Sequence, residues 1–438
     1  MTSQSATSWM SRRQMLKDVA AAAGCVFAPG AIAFASESWK LSKEDEAFLD
    51  DLERQGCRFF WEQAGQKTGQ ILDRARNDGR GGRDPRRMAS IASTGFGLTA
   101  LCIADKRGYL PHAQIVERVR TTLEWHLNSL PEVHGFFYHF SDIETGERFR
   151  GSELSSIDTS LLLCGVLTAR TYFQDERIRS LAQQIYERVD WPWMLNGGQT
   201  FSMGWQPDTG FLHSRWERYC ELMMIYLLAI GSPTHAVAPE YWNHFSRPVI
   251  HYKGYDYISG NDPLFTHQYS QAWYDFRDKR DAYADYFANS VTATRAHKAF
   301  CLSYPKWYSE DYWGITASDS VGGYTAWGGP PAQGPLDGSV VPSAAAGSLA
   351  FLPAECISVL RALRSKWGKQ AWGRYGFVDA FHPSANWYDP DVLGIDQGIS
   401  VLMAENLRSG LVWSTFMRNP ESVSAMRRAG FHGKGLRG

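Results

Sequence analysis

Apolar residues recur along most of this chain at the three-and-four spacing of amphipathic helices. Residues 43–64 set Phe48, Leu52, Phe59, Phe60 and Trp61 among charges. The same spacing predicts helices over roughly 92–106, 111–129, 155–172, 175–189 and 214–230. Others follow near 238–247, 281–301, 343–351, 353–367, 396–409 and 419–429. Pro111, Pro192 and Pro353 fall at first turns or just past ends, and Gly108, Gly231 and Gly410 at stops. One β-hairpin is predicted, Gly135–Phe140 facing Gly146–Phe149 across a turn at 142–145. The stretches 248–280 and 303–342 lack periodicity and are rich in Gly, Pro, Tyr and Trp. Loops of that length inside a compact domain are usually functional, and Trp273, Trp307, Trp313 and Trp327 do not suit a flexible linker. About twelve helices in antiparallel pairs predict an all-α fold, an (α/α)6 toroid or barrel with one small hairpin. Inner helices would line a funnel and the aromatic loops would form its rim. A solenoid would show a fixed repeat of roughly 34 to 45 residues, and none is visible.

The N-terminus reads as an address. Ser11 to Lys17 is polar and basic and contains Arg12-Arg13; a modest apolar run spans Val19 to Ala28, and small residues end at Ala33-Phe34-Ala35. This layout predicts a twin-arginine signal peptide over 1–35 and a single domain over 36–438, exported to the periplasm through the twin-arginine machinery. The run is too short to span a bilayer. Lipoprotein processing at Cys25, after Ala22-Ala23-Gly24, matches less well than simple release, and a frayed N-terminal helix is the structural alternative.

Of the 438 residues, 44% are apolar and 21% charged, which excludes bulk disorder. Lys plus Arg (45) nearly balance Asp plus Glu (46), and loss of residues 1–35 leaves about −3, so no basic footprint for nucleic acid exists. The remaining cysteines, Cys57, Cys102, Cys164, Cys220, Cys301 and Cys356, are scattered, without C-x-x-C or paired His spacing; they read as buried small hydrophobes, and no metal is expected. Aromatic residues are abundant, with 17 Trp, 20 Tyr and 23 Phe, more than a core of this size requires.

Phosphate-loop, zinc-helix and serine-elbow motifs are absent, and Gly95-Phe96-Gly97 opens a helix without a βαβ unit, so it reads as close helix packing. What remains is carboxylates among aromatics. In Arg215-Trp216-Glu217-Arg218-Tyr219-Cys220-Glu221, Glu217 and Glu221 are spaced one helical turn apart. Glu221 precedes Leu222-Met223-Met224, where burial favours the protonated form that a general acid needs; a buried Glu paired with Arg215 or Arg218 is the alternative. Asp396 begins a helix and serves either as its N-cap or, on an inner helix, as an ionised carboxylate facing substrate. Asp158 and Asp319 carry the same ambiguity. His267, Gln268, Trp273, Arg277, Tyr324 and Trp327 combine aromatic faces with bidentate partners, a mixture that suits sugars; an interface patch would also use them. Asp142, in the hairpin turn, is counted with the binding set.

Eight segments carry a family resemblance: Ile91–Gly97, Ser155–Thr159, Arg188–Trp191, Gly231–Thr234, Pro263–Ser270, Trp313–Asp319, Gly376–Phe381 and Gly394–Gly398. Over roughly 45–430 the chain resembles the bacterial glucoamylase-like domain family, which includes endo-β-1,2-glucanases of glycoside hydrolase family 144. His382 stands where that family is expected to have Asn. The resemblance implies an (α/α)6 barrel that hydrolyses β-1,2-glucan with inversion, Glu221 matching the acid and Asp396 the base, without a cofactor. Direct activation of water would need the carboxyls about 6.5–9.5 Å apart, whereas a relay through a substrate hydroxyl spans more. The competing expectations are a polysaccharide lyase using His267, Tyr269 and Arg277, a transglycosylase, and a non-catalytic glucan-binding protein.

Overall fold

The computed structural model describes residues 40–80, 82–260, 263–331 and 334–436. The leader over 1–35 and Cys25 lie outside them. Among the described residues, fourteen α-helices carry the fold. They are α1 (Lys43–Glu62), α2 (Ile91–Arg107), α3 (His112–Asn128), α4 (Ser156–Tyr172), α5 (Glu176–Glu187), α6 (Trp191–Leu195) and α7 (Met223–Gly231). After them come α8 (Tyr269–Trp273), α9 (Tyr286–Leu302), α10 (Pro342–Ala346), α11 (Pro353–Ala371), α12 (Gly394–Arg408), α13 (Leu411–Phe416) and α14 (Pro420–Arg428).

Burial separates two layers. Helix α2 is buried from Ile91 through Ala104, α4 from Ser156 through Ala169, α7 from Met223 through Ile230 and α12 from Gly394 through Asn406, so they are inner helices enclosed on every side. Helices α1, α3, α5, α11 and α14 bury one stripe, as α5 does with Ile178, Leu181, Ala182, Ile185 and Tyr186. Helix α1 packs on α12 and α2, α5 on α4, α14 on α7 and α11 on α10. The result is a helical toroid, as the periodicity predicts. The inner layer is drawn together where α2 meets α4. A Cβ on Gly95 would sit 2.2 Å from the Leu161 carbonyl oxygen, and one on Gly165 2.1 Å from the Gly95 oxygen. Gly95-Phe96-Gly97 is therefore helix packing.

Both poles of α12 are tied down. At its C-terminal end, Glu405 accepts from Arg107 Nε at 2.8 Å, and Arg408 joins buried Glu53 and also Glu46 and Asp50 of α1. Each buried carboxyl has an arginine partner, the condition for tolerating such groups in a core, while burial and the neighbouring Glu405 push Glu53 well above the usual carboxylate range.

Three local expectations are corrected. The segment 214–222 is irregular, and α7 starts only at Met223, so Glu217 and Glu221 do not share a helical face. The predicted hairpin survives as one bridge, Ser141 to Arg148; strand Phe140–Asp142 pairs instead with Met88–Ser90, and Phe136–Phe137 with Glu132–Val133. The stretch read as loop at 248–280 contains a regular hairpin, Val249–Tyr252 against Tyr255–Ile258, turning through Lys253 and Gly254 at φ 46° and 83°. Positive φ at both turn residues gives the twist that two-residue hairpins require.

Candidate active site

The N-terminal ends of α2, α4 and α12 open on one cavity of ≈ 260 Å³, whose wall includes Ser90, His139, Glu153, Asp158, Tyr324 and Ile395. Local sequence fixes each end. Ser90 caps α2 by accepting the Ser93 N–H, and Ser155 caps α4 by accepting the Asp158 N–H at 3.2 Å, a capping-box arrangement with Asp158 at the third position. Leu393 occupies the N-cap position of α12, so Asp396 lies in the first turn and is not the cap; its Oδ1 accepts from the Ser343 hydroxyl at 3.0 Å.

Asp158 faces His139, whose Nε2 lies 3.5 Å from Asp158 Oδ2 and whose Nδ1 lies 3.1 Å from Glu153 Oε1. His139 also stacks on Phe140, with centroids 3.8 Å apart. The donor atoms of His139, Glu153 and Asp158 lie within 4.8 Å of one another, as do those of Asp319, Asp389 and Asp391. The first set mixes nitrogen and oxygen donors; the second is all carboxylate and is braced by Arg86, whose Nη1 lies 2.5 Å from Asp391.

Glu221 stands two residues before α7 and is buried; its carbonyl accepts from Ser270 Oγ at 2.6 Å. Trp216 of the same segment donates its indole N–H to the hydroxyl of Ser156, the first residue of α4, at 2.8 Å. This bond brings the Glu221 segment to the cavity end of the inner layer. Arg215 holds the segment's other side, donating to Thr200 Oγ1 at 3.1 Å and to the Leu195 carbonyl at 2.7 Å.

Behind Asp396 runs a chain of acids. Asp319 pairs with Arg74 at 2.6 Å and gives its backbone N–H to Asp379 Oδ2 at 2.7 Å. Burial pushes Asp389 up to about 8, helped by Asp319 beside it. Burial also raises Asp319, against the pull of Arg74, and raises Asp379 well above the carboxylate range, with Asp396 and Asp319 adding to it. Burial works against charge on Arg74, but Asp73 and Asp319 outweigh it and hold the guanidinium charged.

Of the residues singled out from sequence, Asp158 and Tyr324 line the cavity, and Trp216, Glu221, Asp319 and Asp396 are tied to its end of the inner layer without forming its wall. The others lie elsewhere. Glu217 is exposed and contributes its carbonyl to Ser246. Asp142 forms a bidentate pair with Arg87 at 2.5 and 2.6 Å and closes its own turn by accepting the Glu144 and Thr145 N–H groups; burial raises its pKa, but Arg87 and those N–H groups bring it to about 2. His267 is buried beside Tyr219, and desolvation, with His297 nearby, lowers it to about 3. Gln268 braces the core through Ala344 and Ser348, Trp273 donates to Thr99 at 2.9 Å, and Trp327 donates to Ser318 at 2.9 Å. Arg277 pairs with Asp275 and lies 3.9 Å from the centroid of the Trp413 ring, near Gly410. That is the opposite end of α12, about 20 Å from Asp396 at 1.5 Å per residue. His382 accepts the Ala385 N–H and meets the Asp337 carbonyl at 2.9 Å. Sequence reading missed Arg74, His139, Glu153 and Asp379. Asp379 was legible only as part of the Gly376–Phe381 segment, and Glu153, two residues before the Ser155 cap, falls just outside the Ser155–Thr159 segment.

Residues 213–420 match the family model described as Glycoamylase, a glucoamylase family. The chain is 28% identical over 430 residues to the exo β-1,2-glucooligosaccharide sophorohydrolase (non-reducing end) of Parabacteroides distasonis, covering 88% of this chain and 58% of that protein. The chain thus spans less than two thirds of that relative's length. The endo-β-1,2-glucanase of Chitinophaga pinensis, in complex with sophorotriose and glucose, superposes with a TM-score of 0.83 at 29% identity, over 90% of this chain and 99% of its own. The endo-β-1,2-glucanase of Talaromyces funiculosus, at 12% identity and a TM-score of 0.67 over 87% and 88%, shares the fold.

Proposed function

We propose that this chain, whose residues 213–420 carry a glucoamylase-like domain, is a glycoside hydrolase of β-1,2-linked glucan that works by inverting acid–base catalysis. The observation that carries the reading is the pairing of two buried carboxyl residues, Glu221 and Asp396, with the cavity end of one inner-helix layer, in a chain similar to two β-1,2-glucan-acting enzymes. Glu221 protonates the leaving glycosidic oxygen. Asp396, hydrogen-bonded by Ser343, takes a proton from the water that attacks the anomeric carbon from the opposite face. His139, Glu153, Asp158 and Tyr324 supply donors and acceptors for sugar hydroxyls around the cavity. Acetal hydrolysis by an acid and a base needs no further group on this route.

The test is a product profile. Residues 36–438 are incubated with linear β-1,2-glucan, and with starch, β-1,3-glucan and alginate alongside, and the products are sized by mass spectrometry. Short oligosaccharides from β-1,2-glucan alone are expected; sophorose as the sole product means exo attack, and a ladder of sizes means endo attack. Cleavage of another polymer instead would discard the substrate, and an unsaturated product from alginate would discard hydrolysis. The Arg12-Arg13 pair and the Ala33-Phe34-Ala35 terminus support export to the periplasm by the twin-arginine route. Cell fractionation of the wild type and an Arg12→Lys, Arg13→Lys double variant tests it, with the variant retained inside.

A further inference from the structure

Asp379 is buried, and its two oxygens are treated unequally. Oδ2 accepts the Asp319 backbone N–H at 2.7 Å, while Oδ1 has no hydrogen-bond partner among the described residues. A buried carboxyl oxygen left this way is costly unless something fills its requirement. Asp379 and Asp396 line the same small void of ≈ 10 Å³, together with Ser343, Gln397 and Ser400. That volume is the size one bridging water needs, and among apolar Leu52, Pro342, Ala346, Phe377 and Val378 those five side chains offer it polar partners. The charged groups facing Asp379 are Asp396 from α12, Asp319 from the rim loop and Asp389 from the loop before α12. Arg74 is the cation of the cluster: it pairs with Asp319 and its charge also acts on Asp379, while Asp391, whose carbonyl accepts the Asp379 N–H, is held by Arg86. Carboxyls this close cannot all ionise.

We propose that Asp379 is a positioning residue for Asp396: the two carboxyls, joined across the small void they share, hold one proton between them, carried on Asp379. This rests on the reading of Asp396 as the base. A neutral Asp379 offers an O–H toward the void and adds no second negative charge behind Asp396. Asp396 is then the ionised member, ready to accept the proton of the attacking water. The upward push that burial and Asp396 exert on Asp379 agrees with this assignment.

The experiment compares the pH dependence of kcat/KM on β-1,2-glucan for wild type, Asp379→Asn and Asp379→Ala, with thermal unfolding to confirm folding. The Asn amide reproduces a neutral acid, with a donor for the void and an acceptor for Asp319. Its acidic limb is expected to stay where the wild type's lies. Ala removes the donor, and the acidic limb is expected to move up by about one pH unit, a shift that lost packing alone would not cause. A downward shift of about one unit in the Asn variant would mean that Asp379 is ionised and would overturn the proposal. An unmoved limb in the Ala variant would overturn it too. A wild type inactive on the polymer would sink the reading of Asp396 and with it the positioning role. The shared proton is read independently by infrared spectroscopy of the full chain at pH 7. A carboxylic-acid C=O band lost in Asp379→Asn is expected, and its absence from the wild type refutes a protonated Asp379.

Discussion

Replacing Arg74 with Met keeps most of the aliphatic stem and removes the charge from the centre of the acid chain. In the native protein Nη1 lies 2.6 Å from Asp319 Oδ2 and Nε 3.2 Å from Asp73 Oδ2, and the two carboxyl side chains are only 15% and 11% exposed. Removing one partner of a buried ion pair typically costs about 3–5 kcal/mol, because the other charge stays buried and uncompensated. The cost should depend on pH. Asp319 already titrates above its ordinary range because burial outweighs Arg74, and without Arg74 it moves further up. A carboxyl whose folded value exceeds its unfolded value of about 3.9 binds more protons folded than unfolded, so its contribution to stability declines as pH rises through that window. The gap between wild type and Arg74→Met is therefore expected to be small near pH 4–5 and to widen toward about 3 kcal/mol by pH 8. Urea unfolding at pH 5 and pH 8 measures it. A gap of the same size at both values, or one below about 1 kcal/mol at pH 8, would refute the electrostatic account of Arg74.

Glu221→Gln is expected to lose about 10²- to 10⁴-fold in kcat, the usual range for a general acid, with the melting temperature and oligosaccharide binding retained; turnover close to wild type would remove Glu221 from that role. Gly165→Ala drives a Cβ to 2.1 Å from the Gly95 oxygen, so α2 and α4 must separate, at about 1–3 kcal/mol or more. A denaturation midpoint within error of wild type would show that this crossing yields freely. His126, His267 and His297 are buried, and desolvation lowers them to about 4, 3 and 4. Unfolded histidines bind protons below about 6.5, so stability should fall as pH drops from 6.5 toward 4, by up to about 1.4 kcal/mol per unit for each. Removing one imidazole, as in His126→Phe, should flatten that slope by one proton, as read from unfolding free energy against pH.

The helical layers were legible because burial on one face or on all faces leaves a direct trace in residue spacing. Helix α5 reads as a stripe and α7 as an unbroken apolar run. The start of α7 was misread because apolar spacing continues through Trp216 and Tyr219, whose rings are buried from an irregular backbone and anchored by tertiary bonds such as Trp216 to Ser156. The hairpin at 249–258 was overlooked although Lys-Gly between β-branched and aromatic residues signals it; its surroundings, dense in Gly and Tyr, masked a period of two. In the candidate site, Glu221 and Asp396 stand out locally by placing a carboxyl beside apolar neighbours. Asp379 and Arg74 do not, since their roles arise from partners such as Asp319 that are 60 and 245 residues away. Arg277 and Trp273 illustrate the converse. Composition marks a residue as fit to touch a sugar, but only packing says which pole of the toroid it occupies.

The tethering of α12 at its far end has an evolutionary consequence. Arg107, Glu405, Arg408 and Glu53 anchor the helix about 14 to 18 Å along its axis from Asp396, as a footing away from the cavity end. Selection can then lengthen, trim or recolour the loops at the rim while the footing keeps the helix in register. A lineage built this way can reshape what the cavity admits by editing the rim alone, without first having to solve the folding problem again.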